Sequence, residues 1–236
     1  MPRWSTSFTL RCAMVVSLAI LLLVAVLTPA RAFDVTPTVS VLELPRDTAG
    51  TTLLVRNPRS VDLPIEFEVF ERTILEDGSE EYTPADNLFL VFPPQAVIGP
   101  DSSQSLRVQW VGTPPSRSRS FTLFASQMPV EMKAASGPSV QTLFRVGASV
   151  HVTPADIAPE PVLLAARAQG NGMQVTIANR GQRFFYMNSL DLDFDGKHVG
   201  GVELANIAGR TLVTPGAKRT FVVPGVKGTP GVRLVE

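Results

Sequence analysis

From Phe33 onward the apolar side chains recur at every second position, and proline or glycine interrupts the pattern before a helix of ordinary length could form. Alternation with period two is what a strand buried on one face requires, because successive side chains point to opposite sides of the pleat. Leu63, Ile65, Phe67 and Val69 fall on one side of such a strand, Glu66 and Glu68 on the other. Leu106, Val108 and Trp110 alternate with Arg107 and Gln109 in the same way. Glu76-Asp77-Gly78-Ser79 reads as a turn, and Phe92-Pro93-Pro94 and Gly99-Pro100-Asp101 break the chain where no ladder hydrogen bond can be made. With 20 prolines and 17 glycines in 236 residues, the expectation is an all-β fold.

The first 32 residues read as an address and are set aside from the fold. Arg3 and Arg11 precede the apolar run from Cys12 to Leu27, and Pro29-Ala30-Arg31-Ala32 puts small residues at the two positions a signal peptidase reads. The run is 16 residues long, short of the roughly 20 that a membrane-spanning helix needs. Cleavage after Ala32 leaves 204 residues, enough for two units of about 100, the size of an immunoglobulin-like sandwich. We place the signal peptide at 1–32, one sandwich at 33–154, a proline-rich linker at 155–161 and a second, smaller sandwich at 162–236. In the second, Met173, Val175 and Ile177 form one strand, Phe184 to Met187 another, and Leu190, Leu192 and Phe194 a third. Its length is short for seven strands, which points to a trimmed sandwich.

Composition and motifs exclude most chemistry. The chain has 21 Lys+Arg against 21 Asp+Glu, and three of the arginines leave with the signal, so the exported part is slightly acidic and offers no field for nucleic acid. Cys12 is the one cysteine and also leaves, so no disulfide and no thiol nucleophile are expected. No G-x-S-x-G elbow occurs, and His151 and His198 stand away from any metal-ligand spacing, so neither an enzyme, a metal nor a cofactor is expected. Asp191-Leu192-Asp193-Phe194-Asp195-Gly196 matches the opening of a calcium loop, but the twelfth position is Val202, where a bidentate glutamate belongs. The expected alternative is a hairpin with Leu190, Leu192 and Phe194 toward a core, the aspartates toward water and Asp195-Gly196 at the turn. No later apolar run reaches membrane length, so the mature chain is not expected to insert in a membrane.

One strand carries a functional signal. Val140, Thr142, Phe144, Val146, Ala148, Val150 and Val152 share a face, and Gln141, Leu143, Arg145, Gly147, Ser149 and His151 share the other. At 13 residues the run is about twice the usual strand length. A strand that overruns its own sheet leaves main-chain groups unpaired beside a row of apolar side chains. Such an edge invites strand addition, in which main-chain hydrogen bonds give affinity and alternate side chains fill the partner's pockets. The same edge could pair two copies of the chain. By periodicity alone it could also be simply the last core strand of the first sandwich.

The order of these segments resembles a known family. Behind the export signal, Leu53-Leu54-Val55-Arg56-Asn57-Pro58, Phe92-Pro93-Pro94-Gln95-Ala96-Val97-Ile98-Gly99-Pro100, Gln104-Ser105-Leu106-Arg107-Val108-Gln109-Trp110, Phe124 to Pro129 and the long strand ending at Pro154 are similar to the periplasmic chaperones that assemble pili and fimbriae in Gram-negative bacteria. The resemblance covers 33–154 and continues more weakly through Ile177-Ala178-Asn179-Arg180-Gly181 and Val213-Thr214-Pro215-Gly216. It implies two immunoglobulin-like β-sandwich domains in an L arrangement, a periplasmic location, pilus or fimbrial subunits and an outer-membrane usher as partners, and a non-enzymatic role. In that role the last strand of the first domain is lent to a subunit that lacks its own, until the usher exchanges it. Carried onto this sequence, the donor side chains are Val140, Thr142 and Phe144, with Val146 next in register.

The family also anchors the subunit's terminal carboxylate with an arginine of the first strand and a lysine of the donor strand. Those positions fall on Val41 and Ser149, neither of them cationic. Arg145, His151 and Arg46 are the candidates to replace them, Arg145 foremost. The expected function is a divergent chaperone acting by donor-strand complementation. The alternatives are a secreted immunoglobulin-like structural protein or pilus subunit, and a calcium-dependent binding module.

Overall fold

The computed structural model describes residues 32–129, 142–209 and 211–235. Residues 1–31 of the expected export signal, and Val140, lie outside them. Residues 33–236 form one compact unit. Its first half comprises β1 (Asp34–Thr36), β2 (Val39–Leu44), β3 (Thr51–Arg56), β4 (Leu63–Ile74), β5 (Glu80–Pro84), β6 (Phe89–Phe92), β7 (Gln95–Ile98), β8 (Ser103–Trp110), β9 (Arg119–Gln127) and β10 (Arg145–Pro154). One sheet runs β1-β3-β8-β6; the other runs β2-β10-β9-β4-β5, with β7 beside β4.

The period-two pattern explains how these sheets close on each other. Leu53, Val55, Leu106, Val108 and Trp110 from the first sheet meet Leu63, Ile65, Phe67, Val69, Leu123 and Val150 from the second in one buried cluster. Each such side chain removed from water contributes about 1.5–3 kcal/mol. The chain's first segment serves both sheets. β1 pairs with β3, and beyond Pro37 the chain crosses so that β2 runs parallel to β10, from Val39 opposite Ser149 to Leu44 opposite Pro154.

The second half comprises β11 (Pro161–Gln169), β12 (Gly172–Asn179), β13 (Phe185–Tyr186), β14 (Leu190–Phe194), β15 (Lys197–Gly200), α1 (Gly201–Ala208), β16 (Leu212–Val213), β17 (Lys218–Pro224) and β18 (Gly231–Leu234). Its sheets run β11-β12-β17 and β15-β14-β18, with β13 paired to β16. Val175, Ile177, Met187, Leu190, Leu192, Leu204 and Val223 build a second core, separate from the first. This is a two-domain β-sandwich fold. The sequence pattern predicts no helix, yet α1 forms, burying Leu204 and Ala208, four residues apart and so on one face. The stretch Phe184 to Met187 yields only the two-residue β13 before a 3-10 turn at Met187–Ser189.

Asp191 to Gly196 is a hairpin: β14 pairs with β15 across a turn with Asp195 at φ 52° and Gly196 at φ 92°. Leu190, Leu192 and Phe194 are buried. Asp191 corrects the expectation of a solvated row, because it too is buried. Its Oδ2 accepts from Arg233 Nε at 2.7 Å and lies 2.9 Å from His198 Nδ1. Burial pushes this carboxyl up, and the Arg233 and His198 hydrogen bonds outweigh it, leaving the group below the usual carboxylate range.

The β4–β5 turn docks on β17. The Glu76 carbonyl accepts from Arg219 Nη1 at 2.6 Å and from the Thr220 N–H at 3.0 Å. Arg219 is buried and also donates to the Ala208 carbonyl and the Thr211 hydroxyl. Gly78, at φ 93°, lies directly against its guanidinium.

Candidate functional site

β10 is paired on both sides only from Ser149 onward. β9 runs antiparallel along it from Arg145 opposite Ser126 to Val152 opposite Arg119, while β2 covers only Ser149–Pro154. The Ser149 N–H donates to the Thr38 carbonyl at 2.8 Å, toward β2, and the Phe144 carbonyl accepts from the Gln127 N–H at 2.9 Å, toward β9. Main-chain groups alternate sides along a strand, so those of Arg145 and Gly147 share Ser149's direction. Among the described residues no strand pairs with them there.

Side chains follow the same alternation. Ala148 is buried, Val146 and Phe144 are half-buried against the first core, and Thr142 and Leu143 are exposed. Among the described residues the ladder begins at Arg145, and β9 ends at Gln127, whose N–H meets the Phe144 carbonyl. Thr142, Phe144 and Val146 thus lie along the uncovered margin. Beside it, Phe33, Val35, Leu54 and Val146 help line an open groove of about 550 Å³.

The outer face of this sheet is aromatic. Phe70, Tyr82 and Phe124 pack edge to face, with ring centroids 6.5, 5.7 and 5.2 Å apart. The Arg145 guanidinium lies 3.8 Å from the Phe124 centroid and 3.6 Å from the Glu68 carboxylate. Gly147 makes room for this stack, since a Cβ there would stand 3.2 Å from the Phe124 ring.

The three anchor candidates fare differently. His151 is fully buried, with Nδ1 2.9 Å from Ser120 Oγ, Nε2 2.9 Å from the Tyr186 hydroxyl and its ring stacked 3.9 Å from Phe184. Burial, reinforced by Arg72 and Arg183, drives its pKa down to about 3. It is therefore neutral at neutral pH and is not the expected cation. Arg46 sits in the turn after β2, past the Leu44–Pro154 pair, bound to Glu43 at 2.8 Å and Asp47 at 3.1 Å. From Ser149 to Pro154 alone is roughly 16 Å at about 3.3 Å per residue, so Arg46 stands at the wrong end of β10. Arg145 alone of the three stands beside the free edge.

Sequence reasoning missed Arg72 of β4. Its side chain is only 9% exposed, its Nη2 donates to Ser149 Oγ at 3.2 Å, and its Nη1 lies 3.5 Å from Glu80. Its Nε is buried without a hydrogen-bond partner among the described residues. A guanidinium from β4 thus reaches across the outer face of β9 to stand at Ser149. Period two puts Arg72 on the outer face with Phe70, but only the cross-strand register brings it to β10.

Residues 34–158 match the family model described as pili and flagellar-assembly chaperone, PapD N-terminal domain. The chain belongs to this chaperone family. As a whole the chaperone is similar to solved structures of the same fold. One is the CsuC–CsuE chaperone–tip subunit pre-assembly complex from archaic chaperone-usher Csu pili of Acinetobacter baumannii, with TM-score 0.60, 15% identity, and coverage of 87% of this chain and 98% of that one. Another is the Salmonella enterica SafA pilin in complex with the SafB chaperone, with TM-score 0.56, 19% identity, and coverage of 88% and 98%. A third is the E. coli chaperone DraB, with TM-score 0.55, 20% identity, and coverage of 83% and 86%. No curated protein sequence matches the chaperone. Among its described residues no helix is long and apolar enough to cross a membrane.

Proposed function

We propose that this chaperone acts in the periplasm, where it binds pilus or fimbrial subunits by donor-strand complementation and passes them to an outer-membrane usher. The observation that carries this reading is the uncovered edge of β10 before Ser149, with main-chain groups of Arg145 and Gly147 facing outward and Phe144 and Val146 half-buried beside them. A subunit strand adding to that edge completes a ladder and covers the exposed parts of Thr142, Phe144 and Val146, with Val140 next along the chain. Complete burial of Phe144 contributes at most about 1.5–3 kcal/mol, enough to help hold a subunit and little enough to permit exchange. Arg72, held at Ser149, supplies the cation for the subunit's terminal carboxylate, with Arg145 second to it. The solved CsuC–CsuE and SafB–SafA complexes have the same fold and support subunits as the partner class. The family match favours a chaperone over a secreted structural protein.

The test is co-expression with candidate subunits followed by pull-down of wild type and Phe144→Glu. The charge should abolish capture while circular dichroism keeps the wild-type strand signal and the melting transition stays cooperative, lowered only in part because Phe144 is half-buried. Equal capture by both forms would overturn strand donation through this margin.

A further inference from the structure

Away from the β10 edge, Arg117 and Arg180 line one open crevice of about 600 Å³, Arg117 from the first sandwich and Arg180 from the second. Among the described residues neither guanidinium has a carboxylate partner, and no acidic side chain lines the crevice. An adjoining recess shares Arg117 and Pro215 and contains Glu71, but Arg119 already holds that carboxylate through two hydrogen bonds of 2.8 and 2.7 Å. This acid-free concavity lies in a chain that is slightly acidic once the signal is removed.

Both arginines stand on fixed backbone. Asn179, 1% exposed, donates to the Arg183 and Val213 carbonyls at 2.8 and 3.1 Å and accepts from the Gly181 and Glu160 N–H groups at 3.0 and 3.2 Å. The Arg180 N–H is itself bound to the Glu160 carbonyl at 2.9 Å. On the facing wall the Ser118 N–H and hydroxyl both donate to the Gln182 carbonyl, at 2.8 and 2.9 Å, which fixes the residue after Arg117. The turn's polar groups are spent on structure and the guanidinium ends are not. Guanidinium favours planar carboxylates, and two of them across one opening match two carboxylates of one chain. The crevice is open and floored partly by Leu164, 47% exposed, and Pro215, which suits a segment with a backbone better than a lone anion.

We propose that this crevice docks an acidic segment of a partner polypeptide, at a second site independent of the β10 edge. The probe is fluorescein-labelled hexaglutamate, titrated at low salt into the purified protein and followed by anisotropy. Binding is expected, with an affinity that drops about tenfold in Arg117→Gln/Arg180→Gln and stays at the wild-type value in Arg167→Gln, an exposed arginine on β11. Both crevice arginines are exposed, so the double variant should keep the wild-type melting curve. Phe144→Glu should bind the probe as wild type does, which separates this site from the subunit edge. Unchanged affinity in the double variant, equal binding of hexaglutamine, or complete displacement by inorganic phosphate at matched charge would each overturn the proposal.

Discussion

His151 Nε2 stands 2.9 Å from the Tyr186 hydroxyl, so β10 is hydrogen-bonded to the second sandwich near one end while its other end has an unpaired edge. The root is dry: His151 has no exposed surface, and Phe184 stacks on its ring at 3.9 Å. If β10 is lent as proposed, it needs such a root, since an edge free to slip or peel would lose its register.

Acid should loosen this root. With a pKa of about 3 in the fold and about 6.5 unfolded, His151 is neutral in both states above pH ~6.5, and its contribution is fully present there. As pH falls from 6.5 toward 3 the unfolded chain takes up a proton that the fold refuses, and stability drops with a slope approaching about 1.4 kcal/mol per unit. Urea melts of wild type and His151→Gln between about pH 7 and about pH 4 should diverge, the wild type losing more. Parallel curves would mean the imidazole is not the group responsible.

The free edge can be tested through its main chain. Arg145→Pro removes an outward N–H without touching the β9 ladder, and proline is tolerated where an edge N–H faces solvent. Arg145→Ala removes the same half-exposed side chain, with its Phe124 and Phe70 contacts, its Glu68 pair and its secondary place behind Arg72 as a cation, and keeps the outward N–H. Subunit capture should fall about tenfold for the proline variant and change little for the alanine one. Equal loss in both would assign the effect to the side chain.

Much of this site's frame was legible in the sequence. Leu63, Ile65, Phe67 and Val69 are all buried, as the alternation requires, because each faces the same core while Glu66 and Glu68 face outward. The side-chain alternation of Phe144, Val146 and Ala148 was readable for the same reason. Arg72 was not, because strand pairing brings it to Ser149, 77 residues away in sequence. Nor was the neutral state of His151, which depends on Tyr186 and Phe184 of the other sandwich. The helix α1 escaped because eight residues burying two side chains leave too short a period to read.

The docking of the β4–β5 turn has its own weak point. A methyl group at Gly78 would press into the Arg219 guanidinium, and φ 93° is strained for any other residue. Gly78→Ala should therefore cost about 1–3 kcal/mol in chemical denaturation. A neutral effect would mean that the turn is not held against β17 in solution.

The Asp191 hairpin should ignore calcium. Its buried carboxylate is occupied by Arg233 and His198, so added calcium or chelator should leave Tm unchanged, while Asp191→Asn should lower stability by about 1.5–3 kcal/mol. A calcium-dependent rise in Tm would contradict the hairpin assignment.

Amide hydrogen exchange on the chaperone with and without a bound subunit tests the central claim most directly. The N–H groups of Arg145 and Gly147 should exchange rapidly in the free protein, unlike those of Val146 and Ala148, and become strongly protected when a subunit binds. If they stay fast in the complex, the subunit is held elsewhere and this edge is not lent.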